Sequence, residues 1–474
     1  MKVIQLDNPV MSSWLHINDC RLDSRPYLSG AMEARGLLAK LHAEKQPLYA
    51  VTSGIYHAGR EGRRYVNDPE YGVPFLGSTD ILAADFSSLP LLSKKQVAAN
   101  PLFMIKEGWT LITRSGTVGR MAFVRPDMAG MACTEHVMRV VPEPDKILPG
   151  YLYAYLSSKF GIPLVTEGTY GAIIQHIEPH HIANLPVPRM GRDLEEAVHR
   201  NITNAARLRC EYSAQVKAAT EKLFSSVGLR DITTQEWHAM EPDLGFSCVI
   251  KSPESLRALN FNPRLEACLA KLADTNHMLL GEICKNGELE RSSRFNRIDS
   301  DPTLGVKLVG QRELFWWEPE GRWISTRHTP RDVFVKDETI LIAALGTLGE
   351  SEVFCRSELI TGPWVNYAFA ENILRIRSGN PGISGAFIFA FMRSEMAFRC
   401  LRSMSVGTKQ QVLHGSILSK LPVPFPPKTI RSDIEQLVRS AFAKRHEASR
   451  LEREAVAMVE IAIEEEARWQ ISSR

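Results

Sequence analysis

One ordered series of short blocks occurs twice in this chain, and no other feature limits its fold as tightly. KEGWTLITRSGTVGRMAFV, from Lys106, aligns without a gap on KDETILIAALGTLGESEVF, from Lys336, a shift of 230. Upstream, LAKL at Leu38 recurs at Leu269 (shift 231), and GVPFLGSTDIL from Gly72 matches GVKLVGQRELF from Gly305 (shift 233). Downstream, three pairs share a shift of 236: EHVMRV from Glu135 with ENILRI from Glu371, YLYAYLSS from Tyr151 with FIFAFMRS from Phe387, and LPVP at Leu185 with LPVP at Leu421. Strand-and-turn convergence produces one such block, not six in one order. The chain is therefore expected to hold two copies of one module.

Each copy predicts the same plan. A helical or irregular segment comes first, then short strands with apolar runs such as WTLIT and TILIA. A Gly-Thr-x-Gly turn leads into a second strand, MAFV in one copy and SEVF in the other. A short helix follows (151–159 and 386–396), then a glycine- and glutamine-containing loop and the LPVP strand. Prolines close the module at Pro188, and at Pro424, Pro426 and Pro427. A long helix is then expected in each half. Asp193 with Glu196, and Ser432 with Glu435, have the spacing of a capping box.

The first helix, 193–224, carries Val198, Ile202, Ala205, Tyr212, Val216, Ala219 and Leu223 at nearly 3-4 spacing, with Arg209 as a misfit. The second, 432–469, carries Ile434, Leu437, Ala441, Ala448, Leu451, Ala455, Met458 and Ala462, interrupted at Lys444. Such seams want a partner helix. About 32 residues extend about 48 Å, more than covering one module requires. The fold expected is α+β: two pseudo-repeated domains of mixed short-strand sheets with helices, joined by two long helices that pair as an antiparallel coiled coil. The expected divisions are 1–190 (first domain), 191–240 (helix and connection), 241–427 (second domain) and 428–474 (C-terminal helix).

Bulk properties narrow the function. A chain of 474 residues exceeds one ordinary core, and its net charge of +3 neither demands nor excludes nucleic acid. Eight cysteines contain no CxxC pair, so reduced thiols of a cytoplasmic protein are expected, without a zinc ribbon. The N-terminus lacks a signal-peptide core, and no run of about 18 apolar residues exists, which argues against a membrane span. There is no GxxxxGK[ST] phosphate loop and no Asn-Pro-Pro-aromatic tetrapeptide. GIYHAGR, from Gly54, matches the first half of a GIY–YIG nuclease motif, but no YIG follows. In HIEPHH, Pro179 disturbs the helix that would hold His176 and His180 on one face for a metal. The Gly-Thr turns run into strands, whereas a phosphate loop opens a helix.

TLITRSGTVGRMAFV and TILIAALGTLGESEVF, with GAIIQHIEPHHIANLPVP and GTKQQVLHGSILSKLPVP, carry a family likeness. CRLDSRPYL near the N-terminus and LNFNPRL in the second half add to it. In motif order, duplication and paired helices the chain resembles the specificity (S) subunit of a type I restriction–modification system. The resemblance implies two target-recognition domains and no catalytic site, cofactor or metal. It implies double-stranded DNA as ligand and two copies of a DNA adenine methyltransferase (M) subunit as partners, which a motor-nuclease (R) subunit joins for cleavage. An S-like subunit of another methylation-based phage-defence system, and a scaffold that binds no DNA, remain as other readings.

Base edges are read by arginine, asparagine and glutamine, and phosphates are held by basic side chains. The candidates of the first half are Arg60, Arg63, Arg64, Ser78, Thr79, Arg114, Tyr170, Gln175 and His176. Those of the second half are Arg291, Arg294, Arg297, Gln311, Arg312, Lys409, Gln410 and Gln411. A bipartite, asymmetric target follows, with about 14 base pairs spanned by a 48 Å helix. Arg120 against Glu350 in the two turns fits two unlike half-sites.

Overall fold

The computed structural model describes residues 11–17, 27, 29–169, 175–240, 245–250 and 255–472. Tyr170 and all but Tyr27 of the 20–28 stretch lie outside them. The chain divides into two compact units. Unit 1 comprises Met1–Leu82, Leu89–Cys210 and Glu447–Arg474, and unit 2 comprises Ala83–Ser88 and Glu211–His446.

The strands of unit 1 are β1 (Lys45–Pro47), β2 (Thr52–Tyr56), β3 (Tyr65–Val66), β4 (Gly72–Leu76), β5 (Leu91–Ser93), β6 (Thr110–Thr113), β7 (Met121–Phe123), β8 (Ala132–Cys133), β9 (Val137–Pro142) and β10 (Pro186–Pro188). Its main sheet runs β2-β9-β6-β7, antiparallel throughout. All four residues of β6, Thr110, Leu111, Ile112 and Thr113, are buried, so burial on both faces replaces alternation. A second sheet runs β3-β5-β4-β8, with β4 parallel to β8, and the LPVP strand β10 pairs with β1.

Unit 2 contains β11 (His277–Leu279), β12 (Glu288–Arg291), β13 (Gly305–Val309), β14 (Gly321–Ser325), β15 (Thr339–Ala343), β16 (Leu345–Gly346), β17 (Ser357–Ile360), β18 (Ala368–Phe369), β19 (Ile373–Arg377), β20 (Val406–Gly407), β21 (Gln411–Val412) and β22 (Pro422–Pro424). Its sheets run β12-β19-β15-β17, β14-β13-β18 and β16-β21-β20, and β11 pairs with β22. Registers correspond between the units. Ile112 faces Met138 across β6 and β9, and Ile342 faces Leu374 across β15 and β19. β13 lies parallel to β18 as β4 does to β8.

One strand is not where the sequence put it. SEVF, at 351–354, forms a turn, and the partner of β15 is β17. Phe354 and Cys355 are buried in that turn, with Cys355 in the left-handed region at φ 71°. The second copy thus inserts a few residues after its glycine turn, which is why the offset grows from 230 to 236. The short helices also differ from expectation. They span Pro149–Leu156 and Gly385–Met392. In unit 2 a separate helix, Glu395–Ser403, begins where the Ser394 side chain caps the Ala397 amide at 3.0 Å.

The long helices span Arg192–Ser226 and Lys428–Ser472. Asp193 and Ser432 lie inside them, so neither is the cap that the spacing predicted. In unit 1, Val198, Ile202 and Ala206 share a buried cluster with Ala455, Val459, Ile463 and Ala467. Asn201 reaches Met458 at 3.7 Å, and Arg209 pairs with Glu452, so the segments run antiparallel. In unit 2, Glu211 pairs with Lys444 at 2.7 Å and Lys222 with Asp433 at 2.6 Å, again antiparallel. The buried face of the second helix is phased on Val438, Phe442, Val459 and Ile463, while Leu437, Leu451, Met458 and Ala462 flank it.

One supposed interruption, Arg209, is part of that face; the other, Lys444, is half-buried, and its neighbour Arg445 is the enclosed residue. Arg209 and Arg445, 236 positions apart, are both buried. Arg445 donates to the Trp317 carbonyl at 3.0 Å, the Trp316 carbonyl at 2.8 Å, the Tyr212 hydroxyl at 3.0 Å and the Glu358 carboxylate at 2.9 Å. Its guanidinium carbon sits 4.5 Å from the Trp364 ring centroid. Every face of the cation is thus satisfied, by carbonyls, a carboxylate and π-clouds. Trp316 and Trp317 supply their carbonyls to this core.

Candidate nucleic-acid interface

A three-stranded ribbon recurs in both units: Tyr65, Leu92 and Val73 align across one as Asp299, Ile324 and Val306 do across the other, at offsets of 234, 232 and 233. In unit 1, β3 pairs with β5 (Tyr65 opposite Leu92) and β5 pairs with β4. In unit 2, the Ser325 amide donates to the Ile298 carbonyl at 2.8 Å, Asp299 bridges Ile324, and β14 pairs with β13. An Asp-Pro turn leads into the inner strand of each. The Asp68 carboxylate accepts the Glu70 amide at 2.8 Å, and the Asp301 carboxylate accepts the Thr303 amide at 2.9 Å. The Tyr71 amide then donates to the Asp68 carbonyl at 3.0 Å, as the Leu304 amide does to Asp301 at 3.1 Å. These are Asx turns at equivalent positions.

Basic residues precede each ribbon. Arg60 and Arg64 are exposed in unit 1, as are Arg291 and Arg294 in unit 2. Arg63 serves as a latch: it donates to Thr134 Oγ1 and to the Glu135 carboxylate, each at 2.9 Å, and covers the Phe75 ring. Arg297 makes the matching pair with Glu371, and Glu135 and Glu371 open the equivalent blocks EHVMRV and ENILRI. Burial raises the Glu135 carboxyl, but Arg63, Thr134 and its own backbone amide outweigh that and hold it below its ordinary 4.5. The folded value is depressed, so the latch contributes fully above pH 4.5 and is lost as pH falls through the lowered value. Glu135→Gln is expected to flatten the stability-against-pH curve below pH 4.5; an acid limb superimposable on the wild type's would refute this.

Other candidates build the frame. Arg114 is buried. It donates to the Ile177 carbonyl at 3.1 Å and the Glu135 carbonyl at 3.2 Å, and pairs with Glu178. It therefore holds the SGTVGR turn rather than facing solvent. The Gln175 carbonyl accepts the Gly116 amide at 3.2 Å, and His176 bridges Ser115. Gly116 and Gly119 adopt φ of 78° and 88°, and a Cβ on Gly119 would meet Thr166 at 2.5 Å. His136, 2.6 Å from Ser115 Oγ, is lowered below its ordinary value, chiefly by burial.

In unit 2 the turn is held differently. Gln311 clamps Leu345 through both main-chain groups, at 2.7 and 3.2 Å. Gln411 is buried opposite Gly346, bonded to the Thr408 carbonyl and to Ser405 Oγ at 3.3 Å. Lys409 and Gln410 are exposed at the tip of the β20–β21 hairpin. Arg312 and Thr79 are exposed after β13 and β4, and Ser78 is half-buried. Sequence reasoning missed Arg402, which donates to the Thr347 and Gly349 carbonyls, and Arg399, which grips Glu350 at 2.7 Å. Their only signal was arginine spaced three apart on an apolar helix. Gln411→Ala, which would orphan these partners, is expected to cost about 1–3 kcal/mol in chemical denaturation; a loss within error would show that the loop stands without it.

Among the described residues no group of three or more histidine, cysteine or acidic side chains is placed to hold a metal ion. No described helix is long and apolar enough to cross a membrane.

No family model matches the sequence, and no curated protein matches it. The chain is similar to solved type I restriction–modification S subunits over about nine-tenths of its length. The S subunit from M. genitalium is 12% identical, with 89% of this chain and 94% of that chain covered and a TM-score of 0.36. The HsdS subunit from Thermoanaerobacter tengcongensis is 13% identical, covering 90% and 95%, with a TM-score of 0.25. A chain from work on complex assembly and conformational transition of the type I R-M system is 14% identical, covering 90% and 96%, with a TM-score of 0.24.

Proposed function

We propose that this chain is the sequence-specific DNA-recognition subunit of an anti-phage type I restriction–modification system. It is non-catalytic in this reading. It reads a bipartite, asymmetric duplex target, one part per unit, and positions two copies of a DNA adenine methyltransferase subunit, to which a motor-nuclease subunit adds. The observation that carries the reading is the three-stranded ribbon with its Asp-Pro turn, found in both units with exposed arginines entering it both times. A repeated frame suits two copies of one partner, because identical subunits need equivalent docking surfaces. Unlike side chains on that frame suit two unlike half-sites.

The ligand candidates under this proposal are Arg60, Arg64, Thr79, Arg291, Arg294, Arg312, Lys409 and Gln410, all exposed. Arg114, Gln311 and Gln411 act behind them as positioning residues. Methylation profiling of cells carrying this chain with its methyltransferase tests the reading. The expected result is a modified motif of two specified parts separated by unspecified bases, and a single contiguous motif would overturn it.

A further inference from the structure

Each ribbon also exposes two large apolar side chains, one on its outer strand and one at the end of its Asp-Pro turn. Tyr65 and Tyr71 are 51% and 59% exposed, and Ile298 and Leu304 are 47% and 74% exposed. Both pairs are 233 residues apart. Single apolar residues on a surface need no explanation. One such residue on the outer strand and one at the turn in both units form a pattern rather than scatter; Ile298 stands one place before Asp299, the register partner of Tyr65. Position 65 or 298 lies on the outer strand of its ribbon, and position 71 or 304 ends the Asp-Pro turn.

The two units share a turn and a strand order, but the side chains they present differ. Tyrosine and tyrosine stand in one, isoleucine and leucine in the other. A surface that docks two copies of one protein should keep its apolar contacts alike. A surface that reads two unlike sequences should change them. Charge adds to this. Arg60 and Arg64 enter one ribbon, Arg291 and Arg294 the other, so the apolar tips are flanked by side chains that complement phosphate.

We propose that Tyr65 with Tyr71, and Ile298 with Leu304, are the base-reading tips of two equivalent DNA-binding ribbons. The inference rests on the DNA-recognition reading above and names where its specificity resides. Such side chains discriminate by contact with the thymine methyl group in the major groove or by wedging at a flexible base step. The flanking arginines position the ribbon on the backbone and carry no sequence information themselves.

The test selects binders for the full chain from a pool of randomised duplex DNA. Three proteins are compared: wild type, Tyr65→Ser with Tyr71→Ser, and Ile298→Ser with Leu304→Ser. Wild type is expected to enrich two specified parts. Each double variant is expected to lose enrichment at one part by about tenfold or more, to keep the other, and to retain the wild-type dependence of affinity on salt. A further variant, Tyr65→Ile with Tyr71→Leu, keeps the surface apolar and is expected to change the preferred bases at one part rather than abolish preference. Ile298→Ser with Leu304→Ser is expected to melt as wild type, and the tyrosine variants slightly lower, since Tyr65 also meets the Phe75 ring edge-on at 6.1 Å.

If wild type enriches two parts and the serine variants keep both, the tips do not read bases and the DNA-recognition reading survives. Loss of co-purification with the methyltransferase, with both parts still enriched, would likewise overturn the tips as readers, making them a docking surface. If wild type shows no salt-dependent binding to duplex DNA, both readings fall.

Discussion

Alanine at position 445 is expected to destabilise unit 2 by about 3–5 kcal/mol, the range for removing one partner of a buried ion pair. Arg445 is wholly enclosed, and Glu358 beside it is buried as well. Burial pushes the Glu358 carboxyl above its ordinary value, against the opposing pull of Arg445. Without the guanidinium, the carboxylate loses its counter-charge, and the Trp316 and Trp317 carbonyls and the Tyr212 hydroxyl lose their donor. Chemical denaturation followed by tryptophan fluorescence measures the loss, since Trp317 and Trp364 flank the site. A second variant, Arg445→Met with Glu358→Gln, removes both charges and is expected to recover much of the stability. Equal losses in the two variants would show that packing volume, not charge, decides the site.

Replacing Arg60, Arg64, Arg291 and Arg294 together by alanine is expected to flatten the salt dependence of duplex DNA binding. Each phosphate contact contributes about 0.9 to the slope of log affinity on log salt, so four contribute about 3.6. The loss should be nearly uniform across DNA sequences, because phosphate contacts position without specifying. These side chains are exposed and outside both cores, so thermal stability should stay within about 0.5 kcal/mol of wild type. An unchanged slope with weakened affinity would mean that the arginines do not meet phosphate. The contrast with the apolar tips is deliberate: one set should change how tightly any duplex binds, the other which duplex is preferred.

What sequence could tell of this chain followed from its repetition. Aligning the two copies located the main-sheet strands, the LPVP strand and both long helices, because each signal is stronger when it occurs twice. The alignment erred at SEVF, where two copies of a turn resembled each other locally while the second carried an insertion. The offset of 236 downstream recorded that insertion without saying where it lay. Arg209 looked like a fault, and Arg445 was passed over beside the interruption at Lys444, because hydrophobic periodicity treats a charge as an exposed residue. A buried guanidinium is accommodated only when carbonyls, a carboxylate and rings converge on it, and those partners lie far away in sequence. The same limit applied to Arg114 and Gln411: polarity marked them as candidates for contact, and only geometry showed them supporting the turns. The ribbon tips were overlooked for the opposite reason, since Tyr65, Tyr71, Ile298 and Leu304 are neither basic nor amide side chains and the search for DNA contacts began from polarity.

The division of the second long helix between the units bears on synthesis. Unit 2 extends along that helix only as far as His446. The core of unit 1 includes Ala455, Val459, Ile463 and Ala467, packed in one cluster with Tyr153, Val198 and Ile202. On a ribosome, which releases the chain from its N-terminus, the half made first must wait for the last helix turns before its hydrophobic face is covered. Unit 2 can close earlier. The order of completion is therefore the reverse of the order of translation, and the nascent first half stays exposed to chaperones and proteases for as long as the second takes to make.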